Sequence, residues 1–351
     1  GGHPVGGHPV GGWSARAPPP PAPGSCDVSS PSSPGPSASY DPRPVRSAVV
    51  YNPVRVDGLE RRRAAVDSAL AAAGWPAPEW VETTPDDPGT GQARRAAADG
   101  AEVVFACGGD GTVRACVEGL AGGSAALAIL PAGTGNLLAT NLGVPDDPAA
   151  AVRLAVEGGR RRIDVGEVDG QAFAVMAGMG FDAAMLDDAP SGVKRVLGPV
   201  AYVFSALRHL RGRHMHLRIE LDDRPPLERR ARSVVVGNVG RLQAGVQLLT
   251  DAEPDDGMLD VAVMTPHTVG HWAALLWGVL RRREHVDHFE VHQAARVTVT
   301  SDRENPRELD GDVVEPGRTL AVTVRRRALQ LCVPRPEWSA DLAEGSERLQ
   351  R

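Results

Sequence analysis

The 351-residue sequence has little of several features that mark common protein classes. Lys194 is the only lysine and the formal net charge is −6, so the chain lacks the basic surplus with which nucleic-acid-binding proteins neutralise phosphates. Four scattered cysteines are too few for a disulfide framework or a zinc site, which favours a reduced, cytoplasmic protein. The longest apolar stretch, Val269–Leu280, is too short to span a bilayer, and no signal peptide is predicted.

Residues 1–44 form a head of distinct composition, rich in proline, glycine and serine. Twelve of the 30 prolines lie there, and almost nothing apolar is available to form a core. A segment of this composition cannot offset the entropy lost on ordering, so disorder is predicted.

Residues 45–160 alternate between strand and helix patterns, which predicts an α/β domain. The first strand ends at Asn52-Pro53, a helix follows from Leu59 to Ala73, and Ala101–Cys107 is apolar on both faces. Such alternation is typical of a parallel sheet covered by helices on both sides.

After about residue 161 the pattern changes to short alternating strands separated by turns such as Asp169-Gly170 and Asp256-Gly257. We therefore predict a mostly antiparallel β-sandwich domain over 161–325, with helices near Val200–Leu210 and Val269–Arg282. A return segment and tail are expected to occupy 326–351.

Two glycine-rich turns each follow a predicted buried strand and precede a helix. The first is Gly108-Gly109-Asp110-Gly111-Thr112, and the second runs from Pro131 to Asn136. Small residues let phosphates approach the backbone, and the N–H groups at a helix start attract anions. Asp110 could orient a Mg²⁺ bound to the phosphates or bind a nucleotide sugar, although plain turn chemistry would also explain this motif.

Both turns follow strands of one sheet, so they should flank a single crevice at its carboxyl edge. Thr134 could donate a hydroxyl hydrogen bond to a phosphate, and Asn136 could cap the helix that follows. The chain has no Gly-x-x-x-x-Gly-Lys-Ser/Thr motif, which excludes a P-loop kinase.

Together the two turns resemble the diacylglycerol kinase catalytic domain of bacterial soluble lipid kinases, in a superfamily shared with NAD kinases. The resemblance covers nearly all of residues 46–334. It implies an NAD kinase/diacylglycerol kinase-like α/β domain before the β-sandwich, use of ATP and Mg²⁺, a homodimer, and nucleotide contacts from Asn52, Pro53, Thr83, Thr84, Gly108, Gly109, Asp110, Gly111, Thr112, Gly133 and Thr134. The usual glycine after Asn52-Pro53 is replaced by Val54-Arg55-Val56.

Two acidic turns acquire a role only through this resemblance, because each alone is more simply a solvated Asp-Gly turn. The family's structural metal implies that Asp256 supplies a carboxylate, with main-chain oxygens from Glu253 and Met258. The family's catalytic base implies Asp312 in Leu309-Asp310-Gly311-Asp312, where glutamate is the commoner residue.

The helix predicted from Gly270 to Arg283 carries two tryptophans and ends in three arginines. It is a candidate membrane-facing surface, although packing on the protein's own core is the simpler interpretation. Arg160–Arg162 are interpreted as a solvated strand edge.

These features predict an ATP- and Mg²⁺-dependent lipid kinase that phosphorylates a hydroxyl of diacylglycerol or a related lipid, at the inner face of the membrane. Asp312 would act as base and Asp110 would arrange the nucleotide. The alternatives are an NAD kinase-like enzyme, or a non-catalytic lipid- or nucleotide-binding protein of the same fold. An NAD kinase is disfavoured because no Gly-Ser-Thr-Ala-Tyr-like motif appears in the second domain.

Overall fold

The computed structural model describes residues 45–180, 214–240, 249, 252–266, 271 and 288–334. The predicted disordered head, the helix predicted near 200–210, the helix predicted near 269–282 apart from residue 271, and the tail from 335 lie outside these residues.

The first half alternates between strands and helices as predicted, except that two helices, α4 and α5, follow its last strand. The strands are β1 Ser47–Tyr51, β2 Glu79–Glu82, β3 Val103–Gly108 and β4 Ala126–Pro131. The helices are α1 Leu59–Ala72, α2 Thr90–Ala98, α3 Asp110–Leu120, α4 Leu137–Asn141 and α5 Pro148–Glu157. The four strands are parallel in the order β2-β1-β3-β4.

Helices cover both faces of this parallel sheet. Successive residues of β3 point to opposite sides: Val104 and Ala106 pack in the core formed with α2 and α3. Val103 and Phe105 pack in the core formed with α1 and α5. A strand buried on both faces must be apolar at every position, which is the pattern that its sequence shows.

The second half consists of antiparallel strands. They are β5 Gly159–Val168, β6 Gln171–Phe173, β7 Met176–Met179, β8 Met215–Leu221, β9 Leu227–Ala231, β10 Ser233–Gly237, β11 Leu259–Met264, β12 Phe289–Ala294, β13 Arg296–Leu309 and β14 Asp312–Val333. Their inward side chains form a separate apolar core that includes Phe173, Met215 and Ile219. The α/β domain followed by a mostly antiparallel β-sandwich is therefore confirmed.

The strand β14 connects the halves and forms, with β13, the hairpin that matters for function. Near its end β14 runs parallel to β4, with Gln330 opposite Ala126. At its start β14 pairs with β13 through a two-residue turn, Asp310-Gly311, which joins Leu309 to Asp312. Both turn residues have positive φ, 49° and 89°, as a type I′ hairpin requires.

The segment Ala172–Ala177, predicted as one strand, is two strands separated by a bend at residues 174 and 175. The backbone N–H groups of Ala174, Val175 and Met176 donate to the carboxylate of Asp310 at 2.8–2.9 Å instead of to a neighbouring strand. A distant side chain therefore ends the ladder, which local strand propensity could not indicate.

Candidate active site

The first glycine turn brings the backbone of β3 directly onto the start of α3. Gly109 is the last residue before the helix, and Asp110 is its first residue. A methyl carbon placed on Gly108 would lie 2.5 Å from Thr112 Oγ1, so only glycine leaves room for the Thr112 side chain here. The buried Thr112 side chain packs against Gly108, and the N–H groups of the first helical turn remain at the sheet edge.

The second glycine turn packs against the first. A methyl carbon placed on Gly133 would lie 2.6 Å from Gly109 Cα, which is closer than non-bonded carbon atoms approach. The predicted convergence of the two turns at one sheet edge is therefore present in the structure. Thr134, whose hydroxyl is predicted to donate a hydrogen bond to a phosphate, is exposed on this turn.

The sequence suggested that the side chain of Asn136 caps α4, but it makes no capping hydrogen bond to this helix. Its Oδ1 accepts a hydrogen bond from the Gly133 N–H and its Nδ2 donates to the Gly133 carbonyl, both at 3.0 Å. Asn136 itself has a left-handed backbone, φ 48°, so its side chain reaches back across the turn. It fixes the shape of the second glycine turn instead.

The carboxylate of Asp110 joins the two turns. Its Oδ1 accepts a hydrogen bond from the Leu137 N–H, the first residue of α4, at 2.6 Å. The pKa of Asp110 is raised to about 6, mainly by burial; the charges of Asp310 and Asp312 contribute to the rise, and the backbone donors at Leu137 and Asn136 oppose it. A nearby cation would stabilise the ionised form of this carboxylate, which burial disfavours.

Asp310 anchors the hairpin that carries Asp312. Its side chain is buried and receives the three N–H groups at residues 174–176. Burial raises the pKa of Asp310, while these donors and the charge of Arg114 oppose the shift. These hydrogen bonds fix the hairpin tip to the bend before β7 and to the first residue of β7.

Asp312, the predicted base, lies against the first glycine turn. A methyl carbon placed on Gly111 would be 3.0 Å from Asp312 Oδ2, so the carboxylate lies over the start of α3. Its side chain is 39% exposed, and Oδ2 is 3.3 Å from Arg114 Nε. The structure thus brings Asp110, Gly111 and Asp312 together although the last is about 200 residues away in the chain.

The other predicted nucleotide residues lie at the ends of β1 and β2. Asn52 Oδ1 accepts hydrogen bonds from the N–H groups of Val54 and Arg55, at 3.0 and 3.2 Å, and so closes the turn after Pro53. Thr83 is buried and its N–H donates to the Tyr51 carbonyl, whereas Thr84 is exposed. They are at the carboxyl edge of the same parallel sheet as the glycine turns.

The predicted metal turn lies in the second half of the chain. Asp256 is exposed, and its Oδ1 accepts a hydrogen bond from the Met258 N–H at 2.8 Å, while Glu253 is also exposed. Within the described residues, no cluster of three or more His, Cys, Asp or Glu side chains is arranged to hold a metal ion. The site predicted here uses one carboxylate and two carbonyls, so it stays a prediction.

A residue interpreted as solvated holds this turn in place. Arg161 is only 8% exposed, and its Nε and Nη2 bind both carboxylate oxygens of Asp255 at 3.2 and 2.8 Å. The fully buried Asp164 also accepts hydrogen bonds from the Gly257 and Arg327 N–H groups. The interpretation of Arg161 as part of a solvated edge was wrong, because the acidic turn folds back over β5.

Two family models together match most of the chain. Residues 46–168 match the family model of the diacylglycerol kinase catalytic domain, and residues 174–333 match that of the YegS C-terminal NAD kinase beta sandwich-like domain. A Pseudomonas aeruginosa protein named "Probable lipid kinase YegS-like" is 36% identical over 259 residues, covering 70% of this chain and 82% of the relative. A Bacillus subtilis protein named diacylglycerol kinase is 29% identical over 274 residues, 76% of this chain and 89% of that one.

The crystal structure of a diacylglycerol kinase from Bacillus anthracis has the same fold, with a TM-score of 0.68 at 23% identity over 84% of this chain and 98% of that chain. The chain belongs to the diacylglycerol kinase catalytic-domain family, whose members here include YegS-like lipid kinases.

None of the helices within the described ranges has the length and hydropathy that a membrane span requires. The predicted membrane-facing helix from 270 to 283 falls almost wholly outside those ranges.

Three residues of the site were not singled out from the sequence: Arg114, Gln171 and, as a structural anchor, Asp310. Arg114 follows the glycine turn by one helical turn, so its position on α3 could have been noticed. Gln171 begins a short strand with no motif around it. Its place beside Arg114 depends on the β5–β6 hairpin and could only be seen in the fold.

Proposed function

We propose that this protein is an ATP- and Mg²⁺-dependent lipid kinase that phosphorylates a hydroxyl of diacylglycerol or a related lipid. The observation that carries the proposal is the position of Asp312 Oδ2, which lies over Gly111 at the start of the helix that follows the first glycine turn. A carboxylate beside a phosphate-binding backbone can take the proton of a hydroxyl that attacks a bound phosphate.

The residues present fit this chemistry. The close contact of Gly109 and Gly133 leaves backbone, not side chains, lining the meeting point of the two turns, so phosphates can approach their N–H groups. The carboxylates of Asp310 and Asp312 lie close enough to Asp110 for their charges to raise its pKa. Bound together with ATP near Asp110, Mg²⁺ would neutralise charge that develops on the phosphates.

In the proposed reaction the lipid hydroxyl oxygen attacks the γ-phosphorus of ATP, the bond to the β-phosphate oxygen breaks, and ADP leaves. Asp312 accepts the hydroxyl proton and later releases it to water. Asp110 holds the two glycine turns together through Leu137 and orients the nucleotide's phosphates. We also propose that the protein is cytoplasmic, contacts the inner face of the membrane peripherally, and acts as a homodimer.

The test is transfer of labelled γ-phosphate from ATP to a panel of lipids in mixed micelles, with and without Mg²⁺ and with NAD as a parallel acceptor. Label in a lipid, dependent on Mg²⁺, is expected. Label in NAD alone would move the protein to the NAD kinase-like alternative. No transfer to any acceptor would favour the non-catalytic binding protein.

The variant Asp312→Asn keeps the size of the side chain but removes its basic carboxylate. We expect turnover to fall by about 10²- to 10⁴-fold, with ATP affinity nearly unchanged. Glu315→Gln is the matched control, because it makes the same change at an exposed position three residues along the same strand. Wild-type turnover by Asp312→Asn would show that another group is the base.

A further inference from the structure

Arg114 contacts two structural elements besides its own helix. Its Nε lies 3.3 Å from Asp312 Oδ2 on the hairpin, and its Nη1 donates to Gln171 Oε1 on β6 at 3.2 Å. Its side chain is 17% exposed, less than half the exposed fraction of Asp312. The guanidinium therefore connects the helix of the first glycine turn to the hairpin that carries the carboxylate.

Arginine is suited to this connection for geometric reasons. Its planar guanidinium donates in fixed directions, so the bond to Gln171 sets the plane in which Nε meets Asp312. A guanidinium has five N–H donors and no acceptor, so it cannot take the hydroxyl proton itself. It can only orient the carboxylate and keep a positive charge beside it.

The Asp312 side chain needs a partner of its own, because the hydrogen bonds of Asp310 hold only the backbone of the hairpin turn. Asp310 fixes the turn, but Asp312 is more than one-third exposed and extends from the hairpin tip. Without a partner, a side chain with that exposure samples several rotamers. Misplacing a reacting group by about 1 Å can cost on the order of 100-fold in rate.

We propose that Arg114 is a positioning residue for phosphoryl transfer, which holds the Asp312 carboxylate over Gly111 while Gln171 orients the guanidinium. The inference rests on the proposed function, since it concerns the orientation of the proposed base. It predicts a loss in turnover without a matching loss in ATP binding.

The test compares Arg114→Met, Arg114→Lys and the double variant Arg114→Met/Asp312→Asn in the full-length protein, using labelled transfer to the preferred lipid. We expect Arg114→Met to lower kcat by about 10- to 100-fold while the KM for ATP changes less than about threefold. Arg114→Lys should retain part of the lost rate. Added to Asp312→Asn, Arg114→Met should cause no further loss beyond about twofold, because its effect passes through that carboxylate.

Arg296→Met is the control. Arg296 pairs with Asp223 at 2.9 Å, both are exposed, and the pair lies at the opposite end of β13 from the hairpin tip. Its kcat should equal that of the wild type. Urea unfolding of each variant separates loss of rate from loss of fold.

Two results would overturn the inference while leaving the proposed function intact. One is a wild-type kcat in Arg114→Met. The other is that Arg114→Met lowers kcat by the same factor in the Asp312→Asn background as in the wild type. The second result would mean that Arg114 acts on the phosphates directly. If the wild-type protein transfers no phosphate to any acceptor, the proposed function fails and this inference fails with it.

Discussion

The titration of Asp110 gives a prediction whose size follows from the structure. Burial raises its pKa to about 6 from the ordinary value of 3.8. A difference of about two pH units between the folded and unfolded chains corresponds to about 3 kcal/mol. Because the folded protein binds this proton more tightly, the stabilising effect is complete below pH 3.8 and is lost as the pH rises through about 6.

The variant Asp110→Asn removes this titration but keeps an oxygen that can accept from the Leu137 N–H. At pH 7 we expect it to be more stable than the wild type by up to about 3 kcal/mol, an upper value because Asp110 is not fully buried. The advantage should shrink as the pH falls through 6 and vanish near pH 4. Its ability to use Mg²⁺ and ATP should nevertheless be impaired.

The assay is urea unfolding of wild type and variant, followed by tryptophan fluorescence at half-unit steps from pH 4 to 7.5. Asp223→Asn serves as a control, because that side chain is 94% exposed. Its difference in unfolding free energy from the wild type should not change across the range. A pH-independent difference for Asp110→Asn, or a less stable variant at pH 7, would refute the argument from burial.

Two further predictions concern the glycine turns and the acidic turn. Gly133→Ala places a carbon 2.6 Å from Gly109 Cα, so we expect the turns to separate, the melting temperature to fall, and ATP affinity to drop at least about tenfold. Gly109→Ala is the control: its added carbon would lie 3.4 Å from Gly133 Cα, so this variant should melt near the wild-type temperature. Equal melting temperatures for the two variants would contradict the packing argument. If Asp256 binds Mg²⁺ as predicted, the ion at ten times its Kd should stabilise the wild type by about 1.4 kcal/mol but not Asp256→Ala, measured by thermal unfolding; equal shifts would exclude this turn.

Local chemistry was enough to predict most elements of the first half of the chain. Every position of β3 is apolar, α1 ends just before Gly74, whose φ is 76°, and both glycine turns follow their strands as expected. The helix α5 was not predicted, although Asp147 and Pro148 form a start signal that the structure uses: the Asp147 side chain accepts from the Ala150 N–H.

Contacts between distant segments could not be predicted in the same way. The break between β6 and β7 depends on Asp310, which is more than 130 residues further along the chain. Arg161 appeared to be one of three equivalent surface arginines until the turn at Asp255 was found folded over it. In both cases the deciding partner is remote in sequence, so neither propensity nor periodicity carries the information.

The sequence by itself determined the two-part architecture, the two glycine turns and the kinase family that they resemble, because these depend on hydrophobic period, on glycine's small size and on short motifs. Only the tertiary structure decided that Asp312 lies over Gly111, that Arg114 contacts both Asp312 and Gln171, and that Asp110 binds the backbone that follows the second turn. The contacts of Asp312 exist because β14 passes through both halves of the fold, pairing with β4 near its end and forming the acidic hairpin at its start.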